Sequence, residues 1–157
     1  VEIRRATAAD RDAVIALRLA FVADVRGEAI EAAGTAFEAT IAAYVDDTTA
    51  RGVLHSWLAV DEGGQAVGLA SMLVADVPPL PDHPLAKEGY VINVWVAPDA
   101  RRRGIARALM DELTGEAHAL GMRRLHLYAT ADGRPLYEQL GFTAEPTFMT
   151  RWLDHPR

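Results

Sequence analysis

The chain has 157 residues, a formal net charge of −6, 50% hydrophobic residues and 24% charged ones. That length and balance suit one folded globular domain with a real core and exclude a disordered chain. The lack of cysteine removes disulfides, thiolate metal sites and a cysteine nucleophile, while the acidic balance speaks against nonspecific nucleic-acid binding and no run reaches the ~18 apolar residues of a membrane helix.

In chain order, "VEIRRA" alternates Val1 and Ile3 with Glu2 and Arg4 and predicts a short strand. Thr7 or Asp10 caps a helix carrying Val14, Leu17, Phe21 and Val25 at helical spacing. The alanine-rich stretch from Glu28 to Ala50 reads as helix, with Ile30, Phe37, Ile41, Tyr44 and Val45 as its apolar face, interrupted at Gly34. Val53–Val60 and Ala66–Val77 form a hairpin around the glycine-bearing turn Asp61–Gln65. The prolines of "PPLPDHP", Pro78–Pro84, dictate a loop. Gly89–Val96 is a nearly continuous apolar run, as in a strand covered on both faces.

After Pro98 come Arg101, Arg102, Arg103 and Gly104, then a helix with Ile105, Leu109, Leu113 and Ala117 on one face, ended by Gly121. Arg123–Ala129 alternates as a strand. "GRPLYEQLGF" is a short helix with Pro135 in its first turn and Gly141 after it. "FTAEPTFMTRWL" is expected to end the chain as one or two strands broken near Pro146. The strand–helix–strand crossover makes its strands parallel, and the hairpin makes others antiparallel. The expectation is a single domain over residues 1–157. Its class is α/β (α+β), with a mixed, mostly antiparallel sheet, a central parallel pair and helices on both faces.

Three arginines at a helix start oppose the helix dipole, so a purely structural role would favour acids there. Unpaired amides at that start, Gly104 without a Cβ, and guanidinium forks together make an address for a phosphate or pyrophosphate. The lysine-bearing phosphate-loop pattern and GxGxxG are both absent, which argues against a nucleotide triphosphatase or a dinucleotide site.

"RRRGIA" after "VAP" resembles the Gln/Arg-x-x-Gly-x-Gly/Ala signature of the GCN5-related N-acetyltransferase (GNAT) family, and "LYEQLGF", Leu136–Phe142, resembles its second signature. The resemblance covers the whole chain in element order and is specific from Val94 to Phe142. It implies acetyl-CoA as donor and the acyl-CoA N-acyltransferase fold, in which two parallel strands splay apart. The pyrophosphate would lie on the amides of Arg102 to Ala106, beside Arg101, with Ile105 starting the helix. The pantetheine arm would pair with Val94, Trp95 and Val96. Tyr137, at the signature tyrosine, would be the general acid for the departing thiolate; a phenol with a pKa near ~10 can protonate a thiolate whose own pKa is near ~8.5.

Two positions depart from the family pattern. Asn93 stands where many members carry a glutamate base; an amide takes no proton at neutral pH but can hold a water or the amine. Thr130 stands where many members have an asparagine touching the coenzyme. Glu88, His83 and Asp82 are alternative bases acting through water. Between Leu19 and Ala50 six acids, Asp24, Glu28, Glu31, Glu38, Asp46 and Asp47, face one base, Arg26, a local charge of −5 that either steers a cationic amine or is a solvated face. Met72, Trp57 and Trp95 read as core. His55, His83, His118, His126 and His155 show no metal-ligand spacing.

The leading function is transfer of an acetyl group to a primary amine of a small polar or cationic molecule, by direct attack in a ternary complex. The alternatives are a catalytically weak acyl-CoA sensor or interaction module, and a protein or peptide amine acetyltransferase. No nucleic acid, membrane or metal is expected as partner. The early acids of "VEIRRATAADRD" and the missing cysteine fit a cytoplasmic protein. A homodimer paired through the terminal strand is a further expectation.

Overall fold

The computed structural model describes residues 1–84 and 86–153 and divides into two compact units, residues 1–127 and 128–157. His155 and the side chains of Glu28, Ile30 and Glu31 lie outside what is described. In the first unit the elements are β1 (Glu2–Arg5), a 3-10 turn (Ala8–Asp10), α1 (Arg11–Arg26), α2 (Glu28–Ala50), β2 (Leu54–Val60), β3 (Ala66–Asp76), β4 (Lys87–Val96), a second 3-10 turn (Pro98–Ala100), α3 (Ile105–Ala119) and β5 (Arg124–His126). The strands form one sheet in the order β1-β2-β3-β4-β5, antiparallel throughout except for the parallel pair β4–β5. This is the mixed α/β sheet expected from the crossover and the hairpin. As expected, α2 is interrupted at Gly34, where φ is 56° and ψ is −154°. No described helix is long and apolar enough to cross a membrane.

Strand alternation sends side chains to two faces, and a different helical layer covers each. On one face Leu54, Leu58 and Leu69 pack with Val14 and Leu17 of α1 and Ile41 and Val45 of α2. Ser56 and Ser71 sit opposite each other within that face, and their hydroxyls satisfy one another at 2.8 Å. On the other face α3 lies against β2 and β3. A Cβ on Gly68 would come within 3.2 Å of both Ala59 and Leu109, so the missing side chain is what lets the helix approach. Gly89 plays the same part for the parallel pair, where a Cβ would meet Leu125 at 2.5 Å and the Met72 sulfur at 2.6 Å. Met72 and Trp57 are buried, as their strand positions imply.

The second unit holds α4 (Arg134–Gln139), with a proline in its first turn. It closes at Gly141, whose φ is 88°, and the Phe142 amide donates back to Tyr137 O at 2.9 Å.

The terminal strands expected over "FTAEPTFMTRWL" are not formed: among the described residues no strand follows β5. Pro146 lacks a donor, and the chain turns there, with the Phe148 amide donating to Glu145 O at 3.3 Å. Phe148, Met149, Trp152 and Leu153 are all exposed, so the alternation has no sheet face to settle on. The terminal pairing edge invoked for a homodimer is therefore missing as well.

Leu109 is fully buried where α3 meets the sheet. Leu109→Ala is expected to lower stability by about 2–5 kcal/mol in urea unfolding, from lost burial plus an unfilled cavity. A loss below about 1 kcal/mol would show that α3 does not seal this face.

Candidate functional site

Strand β4 carries a bulge. Leu69 pairs with Trp95 and Ser71 with Ile92, so Ala70 alone stands opposite both Asn93 and Val94. Asn93 takes up the extra residue with φ at 60°, a left-handed conformation that asparagine tolerates better than most side chains. It is 4% exposed, and its Oδ1 accepts from Arg18 Nη1 at 2.6 Å. The parallel partner is gone already before the bulge. β5 pairs with β4 only at Glu88, Gly89 and Tyr90, so no described strand follows that edge from Val91 to Val96. An extended chain carrying amides and carbonyls can occupy such an edge by main-chain pairing.

The end of β4 runs through the 3-10 turn into the arginine loop. Arg102 has φ at 61° and Gly104 has φ at 78°, so two left-handed residues bend the backbone just before α3. Such a bend is of the kind in which successive amides can turn toward an anion. The first helical bond runs from the Ala108 amide to Gly104 O, so the amides of Ile105, Ala106 and Arg107 precede any carbonyl they could reach in the helix. No acid occupies the first turn of α3. Nothing lies within 4 Å of where a Gly104 Cβ would stand, so this side of the cradle is open to a ligand. Ile105 is buried and fixes the helix start against the sheet.

The three arginines do not act alike. Arg101 Nε donates to Val96 O at 2.8 Å and its Nη2 to Asp24 at 2.5 Å, and the same Asp24 oxygen accepts from Trp95 Nε1 at 2.7 Å. Arg101 and Trp95 thus tie the end of β4 to α1, whereas Arg102 and Arg103 are exposed at the loop. The structure brings Val94, Trp95 and Val96 into sequence continuity with the cradle from Arg101 to Ala106.

In the second unit Thr130 accepts the Gly133 amide on its hydroxyl at 3.1 Å and the Arg134 amide on its carbonyl at 3.0 Å, capping α4. Tyr137 is half-buried, edge-on to Phe142 with ring centroids 5.9 Å apart. Burial raises its phenol above the ordinary value, so it stays protonated at neutral pH.

Of the alternative bases, Glu88 is buried and ion-paired with Arg124 at 2.7 Å, across the parallel register. His83 and Asp82 are exposed in the proline loop, 3.9 Å apart. Sequence reasoning passed over His126, whose ring stacks on Tyr90 at 5.1 Å. Desolvation and then Arg124 lower its pKa, so its neutral, proton-accepting form prevails at neutral pH. It also passed over Arg18, whose signal was a lone charge on the apolar stripe of α1 between Val14 and Phe21. Among the described residues no group of His, Asp and Glu converges as a metal site.

Comparison with known proteins follows the same lines. The model of the Acetyltransferase (GNAT) family matches residues 21–142. Mycothiol acetyltransferase from Beutenbergia cavernae is 39% identical over 90 residues, which are 55% of this chain and 28% of that protein. The chain thus matches little more than a quarter of the length of that curated relative. A crystal structure of an acetyltransferase from Clostridium acetobutylicum with acetyl-CoA is 26% identical, covers 97% of this chain and 96% of its own, and superposes with a TM-score of 0.83. A GCN5-related N-acetyltransferase from Ralstonia eutropha is 29% identical over 98% of this chain and 99% of its own, with a TM-score of 0.78.

The Asp24 knot makes a pH-dependent contribution of defined sign. Its carboxyl is held below the usual range first by the Trp95 N–H and, against desolvation, by Arg101. A lowered folded pKa stabilises fully above the unfolded value of about 3.9 and is lost as pH falls through the folded one. Asp24→Asn is expected to lower the urea midpoint near neutral pH, with the gap to the parent narrowing below about pH 4. A gap that stays constant into acid would mean that Asp24 is not held by these partners.

Proposed function

The chain belongs to the acetyltransferase (GNAT) family, and we propose on that premise that it transfers an acetyl group from acetyl-CoA to a primary amine of a small polar or cationic molecule. The observation that carries the reading is the continuity of an unpaired strand edge, Val91–Val96, with the glycine-capped amide cradle at the start of α3. An acyl-CoA needs both: a groove for an amide-bearing arm and a converging set of donors for a pyrophosphate. The solved relative with acetyl-CoA supports the same donor.

Acetyl-CoA supplies the acyl group as a thioester. Val94, Trp95 and Val96 hold the arm, and the amides from Arg102 to Ala106 hold the pyrophosphate, with Arg102 and Arg103 adding charge. Asn93, fixed at the bulge, orients the amine or a water beside the thioester. The neutral amine attacks the carbonyl, the C–N bond forms and the C–S bond breaks. The amine loses its proton to water or to a neutral imidazole such as His126. Tyr137 gives its proton to the departing thiolate and regains one from solvent; this role rests on its place in the second signature. Thr130 steadies the turn before α4.

One observation favours a second reading, an acyl-CoA sensor with weak catalysis. Asn93, where many family members place a carboxylate, cannot act as a base, and it is committed to Arg18. Turnover separates the two readings.

Calorimetric titration with acetyl-CoA is expected to show binding that Gly104→Glu abolishes, because the new side chain is strained at φ 78° and sets a carboxylate against the cradle. An amine panel scored by thiol release then identifies the acceptor. Binding without thiol release from any amine would favour the sensor, and no binding would remove the proposal. Tyr137→Phe is expected to reduce kcat by about a hundredfold while acetyl-CoA still binds. An unchanged kcat would take the acid role from Tyr137.

A further inference from the structure

Arg18 is an unbalanced charge. It projects from α1, half-buried, and donates Nη1 to the neutral Asn93 Oδ1 at 2.6 Å. Its guanidinium carbon lies 5.3 Å from the centre of the Phe21 ring. The electrostatic neighbours that act on it are the phenols of Tyr44 and Tyr90, and among the described residues no carboxylate pairs with it. Several other arginines of this unit have carboxylate partners, Arg4 with Asp10, Arg11 with Asp46, Arg51 with Asp47, Arg101 with Asp24 and Arg124 with Glu88, while Arg102 and Arg103 stand exposed to water at their loop. A charge taken half out of water is ordinarily paired, and leaving one unpaired is costly.

Its position gives the exception a use. Asn93 lies in the bulge, on the stretch of β4 that β5 no longer follows after Tyr90, and on the acetyltransferase reading Arg18 would stand near the reacting groups. The guanidinium keeps donors to spare after serving Asn93. The Tyr44 hydroxyl has no hydrogen-bond partner among the described residues and can add a donor beside it. A fork of N–H groups with a phenol next to it fits an oxyanion.

We propose that Arg18 binds an anionic group, a carboxylate or a phosphate, on the acceptor itself, so that the acceptor is an amine bearing an acid. This rests on the acetyltransferase reading and sharpens its substrate class. Among the acids of α1 and α2, Asp24, Asp46 and Asp47 already have arginine partners.

The test uses the whole chain with acetyl-CoA and thiol-release detection. Amino acids are compared with their amides, and phosphoethanolamine with ethanolamine, so the two pairs tell a carboxylate from a phosphate. The parent is expected to prefer the acid-bearing member of one pair. Arg18→Gln keeps a donor for Asn93 but removes the charge, and it should raise KM for the preferred acceptor by about 10- to 100-fold with a smaller change in kcat. Arg18→Lys should recover part of that loss. Acetyl-CoA titration of the same samples distinguishes a lost subsite from a lost fold. Equal use of both members of each pair, or a preference that survives Arg18→Gln, overturns the proposal and leaves the acetyltransferase reading standing. If acetyl-CoA binds without thiol release, the same amines are titrated by calorimetry, and no binding of the acid-bearing members likewise overturns it. No acetyl-CoA binding removes both.

Discussion

The extra residue at Asn93 is the constraint on which the site depends. A regular β4 would carry every second side chain to the same face. One residue in the left-handed region shifts that phase: Ile92 and Trp95, three apart, both pack against the α1–α2 layer. The local twist that accompanies a bulge also turns the strand end away from its neighbour. β5, only three residues long, follows β4 to Tyr90 and no further. The phase shift and the buried amide of Asn93, with the cation beside it, thus go with one backbone event, set on an edge that β5 leaves from Val91 onward.

A second device holds that displaced end in place. Without a parallel partner, the last residues of β4 need other anchors. Asp24 supplies one from α1 by accepting from both Trp95 and Arg101, while Arg101 also takes Val96 O. Three consecutive arginines therefore divide their work. The first is a strut between a strand and a helix, and its charge is spent on Asp24. The next two remain at the loop, where backbone amides and the helix dipole already favour an anion. A purely electrostatic account of the triplet would assign all three to the ligand and miss the part that keeps the cradle rigid.

Much of this was legible in the sequence because it follows from local rules. Alternation gave the strands, glycines at Gly104 and Gly121 bounded α3, and the crossover between β4 and β5 required a parallel pair. The arginine–glycine run, with the second signature, named the family. What was not legible depends on pairing at long range. The bulge follows from a register between β3 and β4 that no local pattern announces. Arg18 meets a residue 75 positions away, and Asp24 meets one 77 positions away. The terminal segment failed in the opposite direction. It alternates as a strand should, but Pro146 turns it, and alternation without a partner edge does not make a sheet.

The same distinction governs charge. Counted along the chain, the region from Leu19 to Ala50 is strongly acidic, and a field drawn from that count would invite a cation. Counted in space, Asp24, Asp46 and Asp47 are neutralised by guanidinium groups within hydrogen-bonding distance, all three from outside that region. Paired charges at such separations act as dipoles and fade quickly with distance, whereas an unpaired half-buried charge is felt at full strength through a poorly screened medium. Arg18, in contact with Asn93 at the bulge, therefore weighs more there than its share of the charge count suggests. If Arg18 binds the acceptor as proposed, selection would follow the charge that has no partner, and net charge would be a poor guide to it.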